Sequence, residues 1–138
     1  MSEQKPLVLV DDDTEDQELM LEALRTLGFK NDVKTFNSAE AALTFLYESG
    51  EQPFMIVSDI NMPKMDGLEF KKTIDSCSVL KAKCIPFIFI STSTKFVRET
   101  CDLNIQGYFE KGNSWDDLQE TMRIILRYWE RTKHVTPN

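Results

Sequence analysis

The sequence has 138 residues, of which 41% are hydrophobic and 28% are charged, a composition typical of one folded globular domain. Its formal net charge of -7, from 23 acidic against 16 basic residues, argues against a protein that binds the phosphate backbone of nucleic acids. No apolar run approaches the length of a membrane span, and the N-terminal residues lack the apolar core of a signal peptide. We therefore expect a single domain over residues 1–138, located in the cytoplasm, with neither nucleic acid nor membrane as a partner.

The three cysteines, Cys77, Cys84 and Cys101, are interpreted as free thiols. No two of them have the CxxC spacing, and an odd number cannot all pair within the chain. We expect buried or idle thiols rather than a redox or zinc site.

Residues 7–10 form an apolar run that predicts a buried strand, and three aspartates, residues 11–13, follow it directly. Three carboxylates at one strand end raise one another's pKa, which is costly unless a cation lies among them. A divalent cation is the simplest such partner. One acid can also cap the next helix, either Asp13 itself or Thr14 with Gln17 in a capping box. Both interpretations can hold together, because a cap needs only one of the acids.

The next segments predict two helices around a weak strand. Residues 14–27 have helical periodicity and end at Gly28. Residues 32–36 are a polar strand candidate near the sheet edge, and a second helix starts at Asn37 and Ser38 and runs through Tyr47. The apolar stripe of the first helix is Leu19, Met20, Ala23, Leu24 and Leu27.

The stretch from Phe54 to Gly67 contains the central candidate for chemistry. Residues 54–57 predict a strand covered on both faces, and it ends at Ser58 and Asp59. The following turn ends at Gly67, after which a helix can begin. In open α/β sheets, ligands collect where strands end, although an isolated aspartate there could simply cap a turn.

The second half of the chain continues the alternation of strands and helices. Residues 68–74 predict a short helix, and residues 75–84 are ambiguous. A strand over residues 87–90 ends in the hydroxyl-bearing residues Ser91 to Thr94, and Lys95 to Leu103 predicts a short helix.

The last predicted strand is Gly107 to Phe109, with Lys111 just beyond its end. Ser114 is the predicted cap of the final helix, and the tail from Thr132 is expected to fray. The core-facing stripe of this helix is predicted to be Trp115, Leu118, Met122, Ile125 and Trp129.

This alternation predicts a parallel sheet with helices on both faces, connected by right-handed crossovers. All strands of such a sheet end at the same edge. Four separate segments therefore bring acids, a hydroxyl and an amine together there: Asp11, Asp12, Asp59, Ser91 and Lys111.

Over almost its whole length the chain resembles the receiver domain of a two-component response regulator. The matching features are Asp11-Asp12, Asp59 with Asn61-Met62-Pro63-Lys64-Met65-Asp66-Gly67, Ser91-Thr92, and Gly107-Tyr108 with Lys111. The resemblance implies a flavodoxin-like, doubly wound (βα)5 fold of the α/β class, with a five-stranded parallel sheet in the order 2-1-3-4-5. It also implies a stand-alone signalling module of the chemotaxis-regulator kind rather than a true enzyme.

By this resemblance, Asp59 accepts a phosphoryl group from a histidine kinase or a histidine phosphotransfer protein. Mg²⁺ would be held by the carboxylates of Asp12 and Asp59 and by the backbone carbonyl of Asn61, with Asp11 helping through water. The Lys111 ammonium would lie against the acyl phosphate. The domain would thereby assist its own Mg²⁺-dependent phosphorylation and dephosphorylation.

The resemblance also implies a switch. The Ser91 hydroxyl would turn to the phosphoryl group, and Tyr108 would move inward behind it. The face that a downstream protein reads would include residues 95–103, the Tyr108 strand and the last helix. Ile124 and Tyr128 lie off the core stripe, so they either contact a partner or a second copy, or simply border the core. The domain is expected to be a monomer or a phosphorylation-dependent dimer.

Two positions depart from the family pattern. Gly112 follows Lys111 where the family usually has a proline joined by a cis bond, so we expect a trans bond here and a changed approach of Lys111. The span from Ser91 to Gly107 is short, which puts the fourth helix in question. Asn61 and Ser93 occupy positions that flank the phosphoryl group in the family.

Two alternatives remain open on the sequence. A phosphatase of the haloacid dehalogenase type also needs an aspartate nucleophile after the first strand, a later hydroxyl, a lysine and an acidic pair. The residues that imitate this pattern are Asp11 with Asp13, Ser91, Lys111 and Asp116-Asp117, whereas Glu15 stands at the position of its usual threonine. The other alternative is a receiver-like binding module that never carries phosphate, for which Gly112 is the main argument. His134 is given no role.

Overall fold

The structure, a computed structural model, describes residues 5–131. The predicted frayed tail and His134 lie outside the described residues.

Residues 5–131 contain five parallel strands and five α-helices, and the sheet order is β2-β1-β3-β4-β5. The strands are β1 (Leu7–Val10), β2 (Val33–Phe36), β3 (Met55–Ser58), β4 (Phe87–Ser91) and β5 (Gly107–Glu110). The helices are α1 (Thr14–Thr26), α2 (Ala39–Glu48), α3 (Gly67–Ser76), α4 (Ser78–Lys81) and α5 (Trp115–Arg131), with a 3-10 helix at Arg98–Asp102. Two helices separate β3 from β4, and the 3-10 helix stands between β4 and β5. The predicted flavodoxin-like fold and strand order are confirmed. The ambiguous segment 75–84 contains the end of α3 and the short α4.

The sheet separates two hydrophobic clusters, because successive side chains of a strand point to opposite faces. The first cluster packs α1 and α5 on one face, and the second packs α2, α3 and α4 on the other. β1, β3 and β4 are buried along their whole length, whereas β2 and β5 lie at the edges and are partly exposed. Leu7, Leu9, Met20, Leu24, Met122 and Ile125 belong to the first cluster, and Val8, Val10, Leu46, Phe70, Phe87 and Phe89 to the second.

Two side chains predicted to face the core do not. Leu19 is 46% exposed and Trp115 is 37% exposed, and the core prediction for both is wrong. Both line a cavity of about 280 Å³ at the strand-end edge of the sheet, where the packed layers stop. Ile124 and Tyr128 are exposed, which agrees with their position off the core stripe.

The helix predicted over Lys95 to Leu103 is a turn followed by the 3-10 helix. The Thr100 N–H donates to the Val97 carbonyl at 3.1 Å, and the Thr100 hydroxyl donates to the same oxygen at 2.7 Å. Val97 and Thr100 are both β-branched, and the Thr100 hydroxyl competes with backbone N–H groups for the Val97 carbonyl. Both properties weaken an α-helix in so short a connection.

The α1 cap is Asp13, whose carboxylate accepts the N–H groups of Glu15 and Asp16. The alternative capping box of Thr14 with Gln17 is therefore wrong. The Gln17 amide instead donates to the carbonyls of Asp11 and Phe36, at 2.7 and 2.8 Å, and so connects α1 to the ends of β1 and β2.

Among residues 5–131, no helix combines the length and the apolar character that crossing a membrane requires. Cys77, Cys84 and Cys101 are all free thiols, Cys77 half-buried and the other two exposed, so burial is not their common property.

Candidate functional site

The strand register brings the first two acids side by side. Val10 is paired with Ser58 across β1 and β3, so Asp11 and Asp59 are the next residues on neighbouring strands. The Asp59 N–H donates to the Val10 carbonyl at 2.8 Å, and the two aspartates are 0% and 7% exposed. Two carboxylates are therefore held next to each other in a buried place.

Asp11, Asp12 and Asp59 form one cluster. Each offers a carboxylate oxygen, and these oxygens all lie within 4.8 Å of one another. Asp12 is exposed, so the cluster opens to solvent on its side. Oxygen ligands from several carboxylates, with room for water, suit a hard divalent cation such as Mg²⁺. Asn61 lies two residues after Asp59 in an exposed position of the following loop.

Lys111 reaches the same cluster from the end of β5. Its backbone N–H donates to the Ser91 carbonyl at 2.9 Å, which fixes the loop beside β4. Its Nζ lies 2.6 Å from Asp11 Oδ2, 2.8 Å from Asp16 Oδ2 and 3.7 Å from Asp59 Oδ2. Burial acts to lower the pKa of the Lys111 ammonium, but the hydrogen bonds to Asp11 and Asp16 raise it above its ordinary value.

Asp16 is a member of this site that the sequence reasoning missed. It lies in the first turn of α1, and its side chain is 31% exposed. The available signal was its spacing, because the first turn of a helix that follows a strand end stays close to that end. Its polar neighbours Glu15 and Glu18 made it look like part of a solvated face.

Burial raises the pKa of the Asp59 carboxyl to about 6; Lys111 acts to lower it, whereas Asp11 and Asp12 raise it further. Asp59 Oδ1 accepts the Ile60 N–H at 2.8 Å. Burial likewise raises the pKa of Asp11, against its hydrogen bond with Lys111. Asp59 is thus a carboxylate with one oxygen fixed by the backbone and the other directed toward an ammonium.

Gly67 allows the loop after β3 to fold back onto Asp59. The Gly67 N–H donates to the Ile60 carbonyl at 2.8 Å, and a Cβ at this position would lie 2.4 Å from the Asp59 carbonyl oxygen. Asp66, directly before Gly67, forms a capping box with Glu69 that starts α3. A side chain at residue 67 would therefore displace the backbone of Asp59.

Ser91 and Tyr108 are connected through one residue. Ser91 is fully buried, and its Oγ accepts the Ser93 N–H at 3.2 Å. The Tyr108 hydroxyl donates to the Ser93 carbonyl at 2.6 Å. Desolvation raises the pKa of the Tyr108 hydroxyl, and hydrogen bonding to Ser91 opposes that rise. A change at the Ser91 hydroxyl can therefore reach Tyr108 through the backbone of Ser93.

The expected trans bond between Lys111 and Gly112 is confirmed, since residues 5–131 contain no cis peptide bond. Gly112 has a φ of +84°, and a Cβ there would lie 2.3 Å from the Cβ of Asp117. Asp117 Oδ2 accepts the Asn113 N–H at 3.2 Å. The loop after β5 thus has a left-handed glycine at this position, and the Lys111 ammonium still lies within the acidic cluster.

The sequence matches the response regulator receiver domain family over residues 7–123. It is 30% identical over 127 residues to a probable methanogenesis regulatory protein, FilR2, of Methanothrix harundinacea, covering 89% of this chain and 82% of that protein. It is also 30% identical over 135 residues to the response regulator Rcp1 of Synechocystis sp., covering 93% of this chain and 90% of Rcp1.

Solved structures give the same result. The phosphorylated cyanobacterial phytochrome response regulator RcpA superposes with a TM-score of 0.83 at 29% identity, over 94% of this chain and 96% of RcpA. The Mn²⁺-bound form of Rcp1 superposes with a TM-score of 0.81 at 28% identity, over 95% of this chain and 98% of Rcp1.

These matches exclude the phosphatase alternative. Two of the acids that this alternative needs also have other partners in the structure. The Asp13 carboxylate caps α1, and Asp117 Oδ2 accepts the Asn113 N–H in the loop before α5. With its fold, its acidic cluster and its sequence in agreement, the chain belongs to the response regulator receiver domain family.

Proposed function

We propose that this receiver accepts a phosphoryl group on Asp59 from a phosphohistidine of a histidine kinase or a histidine phosphotransfer protein. The observation that carries this proposal is the position of the Asp59 carboxylate, which lies beside two acids and whose Oδ2 is 3.7 Å from the Lys111 ammonium. A buried lysine among carboxylates at the strand ends of an open sheet is typical of a functional site, and its ammonium can neutralise part of the charge of a phosphoryl group on Asp59.

The transfer is an in-line displacement. An Asp59 oxygen forms a bond to phosphorus, the bond between phosphorus and the histidine nitrogen breaks, and the imidazole leaves with that electron pair. Because Asp59 Oδ1 accepts the Ile60 N–H, Oδ2 is the oxygen we assign as the nucleophile. The protein contributes positioning and charge neutralisation, which dominate phosphoryl transfer.

Asp11, Asp12 and Asp59 would hold Mg²⁺, together with the backbone carbonyl of Asn61. When bound, the ion supplies positive charge to the phosphoryl oxygens and lowers the repulsion among the acids. The Mn²⁺-bound form of Rcp1 supports a divalent cation in a relative. The same site would assist hydrolysis of the aspartyl phosphate, so the phosphorylated state would be temporary.

The chemical change would reach the surface through Ser91, Ser93 and Tyr108. If the Ser91 hydroxyl turns to a phosphoryl oxygen, it gives up its bond with the Ser93 N–H. The Ser93 carbonyl, which the Tyr108 hydroxyl contacts, would then shift with its loop. Tyr108 is half-buried at the edge strand and packs against the second hydrophobic cluster, as Phe96 and Leu103 do, so this movement would alter the face formed by β5 and residues 95–103.

The α5 face is the surface we propose for a downstream protein or a second copy. Ile124 and Tyr128 are exposed there and lie between arginines at residues 123, 127 and 131, one helical turn apart. Apolar side chains among arginines are typical of protein interfaces. The proposed location for these exchanges is the cytoplasm.

The phosphate-independent module loses its main argument. Gly112 was its support, yet the loop that contains Gly112 still delivers Lys111 to within 3.7 Å of Asp59.

The proposal is tested by titrating ¹⁵N-labelled protein with beryllofluoride, which imitates the phosphoryl group, with and without Mg²⁺. We expect Mg²⁺-dependent shifts at Asp59, Ser91 and Lys111 that spread to Tyr108. Asp59→Asn should abolish these shifts. The matched control Asp116→Asn, which replaces an exposed acid, should leave them intact. Unchanged spectra of the wild type at saturating Mg²⁺ would reject phosphoryl acceptance at this site.

A further inference from the structure

The hydrogen bonds of Lys111 are unevenly distributed. An ammonium has three N–H groups. Two of them donate to Asp11 at 2.6 Å and to Asp16 at 2.8 Å. The third N–H group is available to Asp59, but the distance of 3.7 Å between Lys111 Nζ and Asp59 Oδ2 is too long for a hydrogen bond. In this structure Lys111 is bound on the side of β1 and α1 and does not contact the nucleophile directly.

The two acceptors differ in how readily they can release the ammonium. The Asp11 side chain is 0% exposed, so losing Lys111 would leave a buried carboxylate without its cation. The Asp16 side chain is 31% exposed and borders the cavity of about 280 Å³ that Leu19 and Trp115 also line. Water can therefore solvate Asp16 when the ammonium leaves, and Asp16 is the partner that can be exchanged.

We propose that Asp16 is a positioning residue that holds Lys111 in a resting place beside α1, and that a phosphoryl group on Asp59 takes over the hydrogen bond that Asp16 gives up. This inference rests on the proposed function, because it needs a phosphoryl group at Asp59. Asp16 then competes with the phosphoryl group for one ammonium. It weakens phosphoryl binding and disfavours the switched state until phosphorylation occurs.

The test measures the dissociation constant of beryllofluoride with Mg²⁺ for the wild type, Asp16→Ala, Asp16→Asn and Glu15→Gln. Glu15 is an exposed acid in the same turn of α1, so Glu15→Gln removes the same charge near the same helix terminus without touching Lys111. The second measurement is the ¹⁵N signal of the Lys111 ammonium in the absence of beryllofluoride.

Asp16→Ala is expected to bind beryllofluoride about tenfold more tightly than the wild type, the effect of removing one competing charge-assisted hydrogen bond. Asp16→Asn retains an acceptor oxygen and should fall between the two. Glu15→Gln should change the constant by about twofold at most. The Lys111 signal should shift in Asp16→Ala and stay in place in Glu15→Gln.

Asp16→Ala binding no more tightly than Glu15→Gln, or an unshifted Lys111 signal, would overturn the positioning role while leaving Asp59 as the phosphoacceptor. A wild type that binds no beryllofluoride at all would overturn both proposals. A variant that loses its fold shows this in its amide spectrum, and Asp16→Asn then decides the matter.

Discussion

Lys111 supplies the positive charge for a cluster of acids. Among the residues that the structure describes, its ammonium lies within 4.0 Å of three carboxylates, those of Asp11, Asp16 and Asp59. The ion pair between Lys111 and the buried Asp11 adds little net stability, because both charges lose their hydration. Removing one partner, however, leaves the other charge buried and uncompensated.

Lys111→Met should therefore lower the free energy of unfolding by about 3 to 5 kcal/mol, because the buried Asp11 carboxylate would lose its cation. Urea denaturation without added metal measures the effect. Asp11→Asn in the same chain should restore much of the loss, whereas Arg123→Met, which breaks the exposed pair with Glu120, should cost less than about 1 kcal/mol. A loss no larger than that of Arg123→Met would show that Asp11 does not depend on Lys111.

The raised pKa of Asp59 makes stability depend on pH. Its ordinary value is 3.8 and its value in the folded chain is about 6, so between these two pH values the folded state binds more protons than the unfolded one. The stabilisation is fully present below the lower value and is lost as the pH rises through the upper one. The total is about 3 kcal/mol.

We expect the free energy of unfolding of the metal-free wild type to fall by more than that of Asp59→Asn as the pH rises from about 4 to 7. At neutral pH, Asp59→Asn should be the more stable of the two. Asp116→Asn serves as the control that keeps the wild-type slope. Parallel curves for the wild type and Asp59→Asn would show that burial does not raise the pKa of Asp59.

At the scale of elements, the contact between the start of α3 and the end of β3 positions Asp59. Gly67→Ala should place a Cβ 2.4 Å from the Asp59 carbonyl oxygen and 2.8 Å from the Ile60 Cα, so the backbone must shift. We expect a loss of about 1 to 3 kcal/mol of stability, together with weaker beryllofluoride binding.

Gly50→Ala is the matched control, because a Cβ at residue 50 meets nothing within 4 Å. Thermal unfolding and the beryllofluoride titration compare the two variants. If Gly67→Ala behaved like Gly50→Ala in both measurements, the close approach of α3 to Asp59 would be refuted.

The elements with the clearest hydrophobic pattern could be predicted from the sequence. Continuous apolar runs located β1, β3 and β4, and their ends located Asp11, Asp59 and Ser91, because a buried parallel strand has little freedom in where its polar residues begin. The segment that contains the 3-10 helix at residues 98–102 was predicted as an ordinary helix. The spacing of apolar residues gives no information about the Thr100 hydroxyl, which donates to a backbone carbonyl.

The residues whose surroundings the sequence did not predict all line the cavity at the strand-end edge of the sheet. Asp16 looked like one acid among several, and only the three-dimensional approach of Lys111 gives it a partner. Leu19 and Trp115 fit a core stripe by spacing, but periodicity does not show where the neighbouring layer stops.

At the scale of the molecule, the sheet order decides which side chains can act together. Placing β1 beside β3 puts their two acids in register, β4 and β5 then add Ser91 and Lys111 at the same strand-end edge, and Tyr108 lies within β5. The site is therefore continuous with the partly exposed β5 and the α5 face beside it. This arrangement lets a local change in charge alter a surface that a partner can read.

Ser91→Ala should separate these two events. Beryllofluoride should still shift the amide of Asp59, but the shifts at Tyr108 and along α5 should shrink strongly, because the hydroxyl that connects them is absent. Thr94→Ala, which removes an exposed hydroxyl from the same loop, should respond as the wild type does. Full shifts at Tyr108 in Ser91→Ala would show that the signal takes another route.

Whether Asp59 is the phosphoacceptor can be decided by incubating the chain with acetyl phosphate and Mg²⁺ and mapping the modification by mass spectrometry. We expect the added mass of one phosphoryl group on the peptide that contains Asp59, abolished by Asp59→Asn or by removal of Mg²⁺ and retained in Asp116→Asn. A phosphoryl group on Asp11, or no modification of the folded wild type under these conditions, would contradict that assignment.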